Sequence, residues 1–287
     1  MAPWRPDPDA EPLQPGLYVV STPIGNLRDI TLRALDVLAG ADLVLAEDTR
    51  VAARLLGAYG IKAKVERYDD HAGAQARPRV LQRLAEGGRI ALTSDAGTPT
   101  VSDPGFRLVQ DALEAGARVI PVPGASASLA ALAMAGLPTD RFLFAGFPPA
   151  KPAARRTFLE ELAAVRATLV LYESGPRLAD SLADMAAVFG PREAAVCREL
   201  TKLYETCIRA PLPELAADPR LDRPKGEIVV LVAPGREAAA SEADADRALA
   251  EALQRLSPSE AAGEVAKALG LPRRELYRRA LALRGEG

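Results

Sequence analysis

The 287-residue chain is poor in the residues that most catalytic and redox chemistry relies on, having 2 cysteines, 1 histidine and 1 tryptophan. Cys197 and Cys207 form neither a CxxC pair nor a disulfide framework. They fit a reducing compartment and read as small buried apolar side chains. His71 alone cannot supply a histidine metal site or a Ser-His-Asp triad, so it reads as a solvated loop residue and no metal is expected. No apolar run approaches the roughly 20 residues of a membrane span. The start, Met1-Ala-Pro-Trp-Arg-Pro-Asp, has no apolar signal core, and residues 1–15 read as a disordered leader of a cytoplasmic protein. Neither GxGxxG nor GxxxxGK[ST] occurs, which removes the chemistry of the ordinary dinucleotide and P-loop sites. With a net charge of −2 the molecule has no overall positive field. A nucleic-acid partner would therefore need a local basic patch.

What is present is an alternation of strands and helices. The length suffices for two domains and a sizeable core. Apolar runs at residues 17–21, 42–46, 64–68, 89–93 and 118–122 read as strands. Helical patterns fall between them, starting at Asp29 or Thr31 as N-cap, after Arg50, near Pro78, and at Phe106. In the last of these, Phe106, Leu108, Val109, Ala112 and Leu113 share one face. This βαβα order predicts a largely parallel sheet over residues 16–125. A second α/β domain spans 126–235, with strands near 142–147, 168–172, 193–198, 204–209 and 227–232. The last strands have no long helix between them, which predicts a mixed sheet. Residues 244–287 form a helical tail, with Ser257 and Glu260 in capping-box positions and a helix–turn–helix shape.

Four loops follow predicted strands at their carboxyl ends, where an open α/β sheet keeps its ligand. They are Thr22-Pro-Ile-Gly-Asn26, Glu47-Asp-Thr-Arg50, the segment from Ser94 to Gly105, and Pro123-Gly-Ala-Ser-Ala-Ser128. The third, Ser94-Asp-Ala-Gly-Thr-Pro-Thr-Val-Ser-Asp-Pro-Gly105, is too elaborate for a plain turn with a helix cap. Asp95 suits ribose hydroxyls or an ammonium, and the backbone of Ala96, Gly97 and Thr98 suits a polar ligand. Ser126 and Ala127 open a helix whose N–H groups suit a carboxylate.

At these loops the chain resembles the tetrapyrrole-methylase superfamily, and within it the 16S rRNA cytidine 2′-O-methyltransferase I group. The resemblance continues in order through Glu173-Ser174 with Arg177, Arg198-Glu-Leu-Thr-Lys202 with Glu205, and Lys225-Gly-Glu227. It covers residues 17–232, and the helical tail fits the same group. The resemblance implies an α/β fold of two domains with S-adenosylmethionine in the cleft between them, and a homodimer. It also implies that Pro23, Gly25, Asp95, Ala96, Gly97, Thr98, Val101, Ser102, Ser126, Ala127 and Tyr172 hold the cofactor. The implied substrate is a cytidine ribose in the decoding region of the 16S rRNA of the 30S subunit.

A sulfonium methyl is already activated, so proximity and alignment carry much of such a reaction. A ribose hydroxyl is a poor acid and benefits from a base. Candidates are Glu47, Asp48, Glu173, Glu199, Lys202 and Glu205, with Glu47 or Glu199 expected to face the hydroxyl. Arg50, Arg198 or Lys202 is expected to orient phosphates, and Lys151, Arg155 and Arg156 to grip them. The tail arginines Arg273, Arg274, Arg278 and Arg279 are further candidates. Plainer readings exist: Glu47, Asp48 and Arg50 can cap a helix, and Lys202 and Glu205 can form a surface pair. Two other functions stay open, a C-methylase of tetrapyrroles and a non-catalytic protein that binds S-adenosylmethionine.

Overall fold

A computed structural model describes residues 12–100, 105–235, 242–269 and 271–284. These fall into two compact units, residues up to 233 and residues from 234. The expected leader, residues 1–15, lies mostly outside the described residues.

The first unit begins with β1 (Gly16–Val20), α1 (Leu32–Gly40), β2 (Leu43–Ala46), α2 (Thr49–Ala58), β3 (Val65–Arg67), α3 (Asp70–Ala85), β4 (Arg89–Thr93), α4 (Phe106–Glu114) and β5 (Val119–Val122). All five strands are parallel, in the order β3-β2-β4-β1-β5. Their side chains alternate between two apolar layers. Leu17, Leu43, Leu45, Ile90 and Leu92 pack with Val80 and Leu84 of α3 and Leu108 and Ala112 of α4. Tyr18, Val20, Val44 and Ala91 pack with Leu35 and Leu38 of α1 and Leu55 and Leu56 of α2. Helices on both faces explain why these strands are almost continuously hydrophobic.

The chain then enters α5 (Ala127–Ala135), β6 (Phe142–Gly146), α6 (Pro152–Leu162), β7 (Thr168–Ser174), α7 (Gly175–Phe189), β8 (Glu193–Arg198), β9 (Thr206–Pro211), α8 (Leu212–Ala217) and β10 (Glu227–Val232). These strands form a second sheet, β6-β7-β10-β8-β9. Only β6 and β7 are parallel, so the sheet is mixed as expected. One face packs on α6, α7 and α8 through Leu159, Leu178, Leu182 and Leu212. The other receives Ala131, Leu132 and Ala135 of α5, together with Ile24 from the loop after β1.

Three expectations fail locally. The helix expected near Pro78 begins at Asp70, so Pro78 lies inside α3, and His71 belongs to that helix rather than to a loop. Phe106 and Leu113 do not share the buried face of α4; they are 60% and 58% exposed, and only Leu108 and Ala112 are buried. Strand β9 starts at Thr206, because residues 201–205 form a turn.

The second unit contains α9 (Glu242–Ala252), α10 (Pro258–Leu269) and α11 (Arg273–Arg284). Leu249, Val265 and Leu276 pack with five alanines in a small core. The glutamate half of the capping box forms: Glu260 accepts from the Ser257 backbone N–H at 3.1 Å and from its hydroxyl at 2.7 Å. Among the described residues no helix is long and apolar enough to cross a membrane.

Candidate active site

Strands β4 and β1 are neighbours, yet β1 leads toward β2 on one side and β4 leads toward β5 on the other. Such a switch point opens a crevice at the carboxyl ends of the strands. The two loops that leave there brace each other. The Thr22 N–H donates to Gly97 O at 2.8 Å, and the Gly97 N–H donates to Thr22 O at 3.1 Å. The hydroxyls of Ser21 and Thr98 lie 2.9 Å apart, and Ser94 Oγ donates to Gly97 O at 3.2 Å. Both backbone polar groups of Gly97 are therefore used within the protein, so its expected backbone clasp on a ligand is already engaged. The φ of +84° at Gly97 explains the need for glycine.

Asp95 joins the loops after β2 and β4, accepting from the Asp48 N–H at 3.0 Å. At the fourth loop Ser126 is the N-cap of α5, accepting from the Leu129 N–H at 3.5 Å, with its hydroxyl 2.9 Å from that of Ser128.

Above these loops lies a cavity of about 790 Å³. It is lined by Asp95, Ala96, Gly97, Thr98, Ser126 and Ala127 from the first-sheet side, and by Tyr172 from β7. Seven of the eleven expected cofactor residues thus meet in one place. Tyr172 is set edge-on between Phe144 and Phe147, with ring centroids 4.8 and 5.4 Å away. Glu47 also lines this cavity. Val101 and Ser102 lie outside the described residues.

Pro23 and Gly25 line a neighbouring cavity of about 620 Å³ instead. The two cavities share Ile24, Asp95, Ala96 and Glu227. Gly25 makes room for a side chain of the second sheet. A Cβ there would come within 2.4 Å of Cγ and 2.7 Å of Cε of Lys202.

Lys202 stands in a strained turn after β8, with Glu199 at φ 54° and Thr201 at φ 67°. Its Nζ donates to Glu199 Oε1 at 2.9 Å and to Glu227 Oε2 at 3.0 Å. Burial pulls the ammonium down, but its bonds to Glu199 and Glu227 outweigh this and raise it above the ordinary lysine value. The bond from Lys202 likewise holds Glu199 below its ordinary value. Glu199 Oε1 also accepts from the Glu227 N–H at 3.1 Å, and Glu205 accepts from the Thr201 N–H at 2.6 Å. Glu199 and Glu205 therefore hold the turn together.

Other candidates have their polar groups engaged within the protein, although Glu173 also lines the large cavity. Asp48 caps α2 through the Arg50 N–H at 2.8 Å and pairs with the Arg50 side chain at 2.6 Å, which holds its carboxyl far below the usual range. Glu173 is buried, accepts from Ser181 Oγ and from the Ser174 N–H at 2.8 Å, and lies 3.3 Å from Arg177 Nε. Arg155 does not face solvent. It is 4% exposed and its guanidinium lies 2.7 Å from Asp184, which Arg156 also reaches at 2.7 Å. The basic cluster contracts to exposed Lys151 and Arg156. Arg198 donates to the carbonyls of Lys225 at 3.0 Å and Tyr204 at 3.5 Å, organising the turn rather than reaching outward. In the tail, Arg279 pairs with Asp246 and Arg273 bonds Ser259, while Arg274 and Arg278 are exposed. Sequence reasoning missed Glu227. Its place in Lys225-Gly-Glu227 reads as a strand start, and only the central position of β10 brings it to the cavity wall.

The large cavity suits an adenosine-type sulfonium ligand. It combines apolar walls from Val122, Leu200, Ile228 and Val229 with Asp95 and the N-terminus of α5. Residues 16–216 match the family described as tetrapyrrole (corrin/porphyrin) methylases, and residues 239–284 match the RsmI C-terminal HTH domain. The chain is 52% identical to a ribosomal RNA small subunit methyltransferase I of Mesorhizobium japonicum, over 97% of this chain and 96% of that protein. It is 47% identical to the protein of the same name in Escherichia coli O157:H7, over 96% of this chain and 98% of that one. Among solved structures, diphthine synthase shares the fold at a TM-score of 0.60 and 18% identity, over 76% of this chain and 89% of that one. The chain belongs to the tetrapyrrole methylase family, within its ribosomal RNA small subunit methyltransferase I branch.

Proposed function

We propose that this protein transfers the methyl group of S-adenosylmethionine to the ribose 2′-hydroxyl of a cytidine in 16S rRNA, at C1402. The observation that carries the reading is kinship with ribosomal RNA small subunit methyltransferase I over 97% of the chain, the C-terminal helices included. Kinship confined to the two sheets would suit a tetrapyrrole enzyme equally well.

Asp95, Ala96, Thr98, Ser126, Ala127 and Tyr172 would hold the cofactor in the large cavity, which their convergence there supports. Bound there, S-adenosylmethionine supplies a methyl on a positively charged sulfur, activated without help from a metal. The protein's part is to orient the ligand, exclude water and place the acceptor in line. Residues 16–125 and 126–235 act as two lobes, a reading supported by α5 packing on the second sheet rather than the first. Glu47 lines the large cavity, beside the loop after β2. Exposed Lys151 and Arg156, and Arg50 at the rim of the loop after β2, would contact RNA phosphates. The working form is a cytoplasmic homodimer; exposed Phe106 and Leu113 on α4 favour burial against a second copy.

The test is incubation of the protein with methyl-labelled S-adenosylmethionine and undermethylated 30S subunits. Label in a 16S cytidine ribose is expected. Label confined to a porphyrin precursor, or binding without transfer, would refute the reading.

A further inference from the structure

We propose that the cavity of about 620 Å³ is the acceptor-nucleoside pocket, and that Glu227 takes the proton of the ribose hydroxyl. The inference deepens the function above and rests on it, because it needs the methyl donor in the neighbouring cavity.

Direct transfer requires the acceptor oxygen to meet the methyl carbon at close range, so the acceptor pocket must share a wall with the donor pocket. The two cavities share Ile24, Asp95, Ala96 and Glu227. Another cavity, of about 510 Å³, also touches Asp95 and Glu47, but Glu47, Asp48, Thr49, Arg50, Arg67 and Asp69 give it no apolar floor. The 620 Å³ cavity has one, formed by Leu38, Val44, Leu55 and Leu56, each at most 9% exposed. That floor suits the face of a base. Its rim carries exposed Arg54, suited to a phosphate, and Lys202 with Glu227, suited to ribose hydroxyls. Its size falls within the range of nucleotide-sized sites, about 300–1,000 Å³.

Two carboxylates stand on the shared wall. Asp95 Oδ1 accepts from the Asp48 N–H, so turning this carboxylate toward the acceptor would break the brace between two loops. Glu227 Oε2 accepts from Lys202, and among the described residues its other oxygen has no partner; its side chain is 71% exposed. Glu47 lines the donor cavity but not the acceptor cavity. Lys202 stays an ammonium between two carboxylates, so it is a positioning residue that aims Glu227 and cannot itself accept a proton. Gly25 is the complement to this arrangement, because any larger residue would displace the Lys202 stem. In the transfer the ribose oxygen bonds the methyl carbon and the sulfonium C–S bond breaks. Its electron pair returns to sulfur, and the hydroxyl proton passes to Glu227 and then to water.

The experiment uses the full chain. Ala52→Phe and Val51→Phe fill the pocket from α2, and Glu227→Gln removes the base. Binding of S-adenosylhomocysteine, by calorimetry, should stay within about threefold for the two pocket-filling variants, and thermal melts certify the folding of all three. Saturation-transfer NMR with cytidine 5′-monophosphate should lose its signal in both pocket-filling variants and keep it in Glu227→Gln. Single-turnover transfer to 30S subunits should fall by about 100-fold or more in Glu227→Gln, the usual scale of general-base loss. Lys202→Arg should recover more of the rate than Lys202→Met. An unchanged nucleotide signal in both filled variants overturns the pocket, and a Glu227→Gln rate within threefold of wild type overturns the base. If the wild type labels no rRNA, the function above fails, while the nucleotide-binding arm still decides the pocket.

Discussion

The two sheets of the first unit contribute to the site in different ways. The first is wholly parallel, is buried on both faces, and offers its residues from loops at the carboxyl ends of β1, β2, β4 and β5. The second is mixed, and offers residues from strand ends and a strained turn: Tyr172 from β7, Lys202 after β8, and Glu227 at the start of β10. The parallel sheet holds a rigid rim. The mixed sheet brings in charge, held by a lysine bridged between two glutamates. On the proposed reading, proton handling falls to the second sheet, while both sheets line the large cavity.

The largest expected effect breaks the second sheet's support. Asp184→Asn leaves the guanidinium of Arg155 buried with a weaker partner. The loss of a buried charged partner costs about 3–5 kcal/mol, read as a fall in the denaturant midpoint. A loss under about 1 kcal/mol would mean that the pair is not integral to this lobe.

Next is Gly25→Ala, at φ 156° and against the Lys202 stem. Single-turnover transfer should fall at least tenfold, while S-adenosylhomocysteine affinity should change less than threefold. Equal losses in both would place Gly25 in the cofactor cavity after all.

Ser126→Ala tests the loop after β5, at the start of α5. Loss of the α5 cap should cost about 1 kcal/mol of stability, and cofactor affinity should weaken about fivefold with the maximal transfer rate retained. A wild-type affinity would remove Ser126 from the cofactor site.

The smallest effect is a dependence on acid. Burial raises Asp184, but bonds from Arg156 and Arg155 outweigh it and hold the carboxyl below its ordinary value; Glu199 is held low by Lys202. Their stabilisation is fully present above the unfolded values, near pH 4, and is lost as pH falls through the lower folded values. Thermal melts should hold steady from pH 7 to 5 and decline below about pH 4. Asp184→Asn should flatten that decline.

The sequence disclosed the first sheet's share of the site more fully than the second's. Apolar runs bounded by glycine, proline and aspartate placed β1, β2, β4 and β5 within a residue or so, and their loops carried recognisable motifs. Pro78 misled, because proline normally sits in a first helical turn, whereas α3 accommodates it eight residues in. Arg155 and Arg156 look alike in sequence, yet α6 buries one and exposes the other, since adjacent helical residues point about 100° apart. Glu227 stood in the Lys225-Gly-Glu227 motif, but nothing local assigned it a place in the site. Its role follows from β10 lying between β7 and β8, a long-range pairing that spacing along the chain does not reveal.

The central claim is that donor and acceptor occupy adjoining cavities with Glu227 on the shared wall. Its most direct test is a crystal structure of the protein with S-adenosylhomocysteine and cytidine 5′-monophosphate. The account predicts the thioether in the cavity beside residues 95–98 and Tyr172. It places the cytosine over Leu55 and the ribose 2′-hydroxyl within hydrogen-bond distance of Glu227. A cytidine bound beyond the reach of Glu227, with the 620 Å³ cavity unfilled, would contradict it.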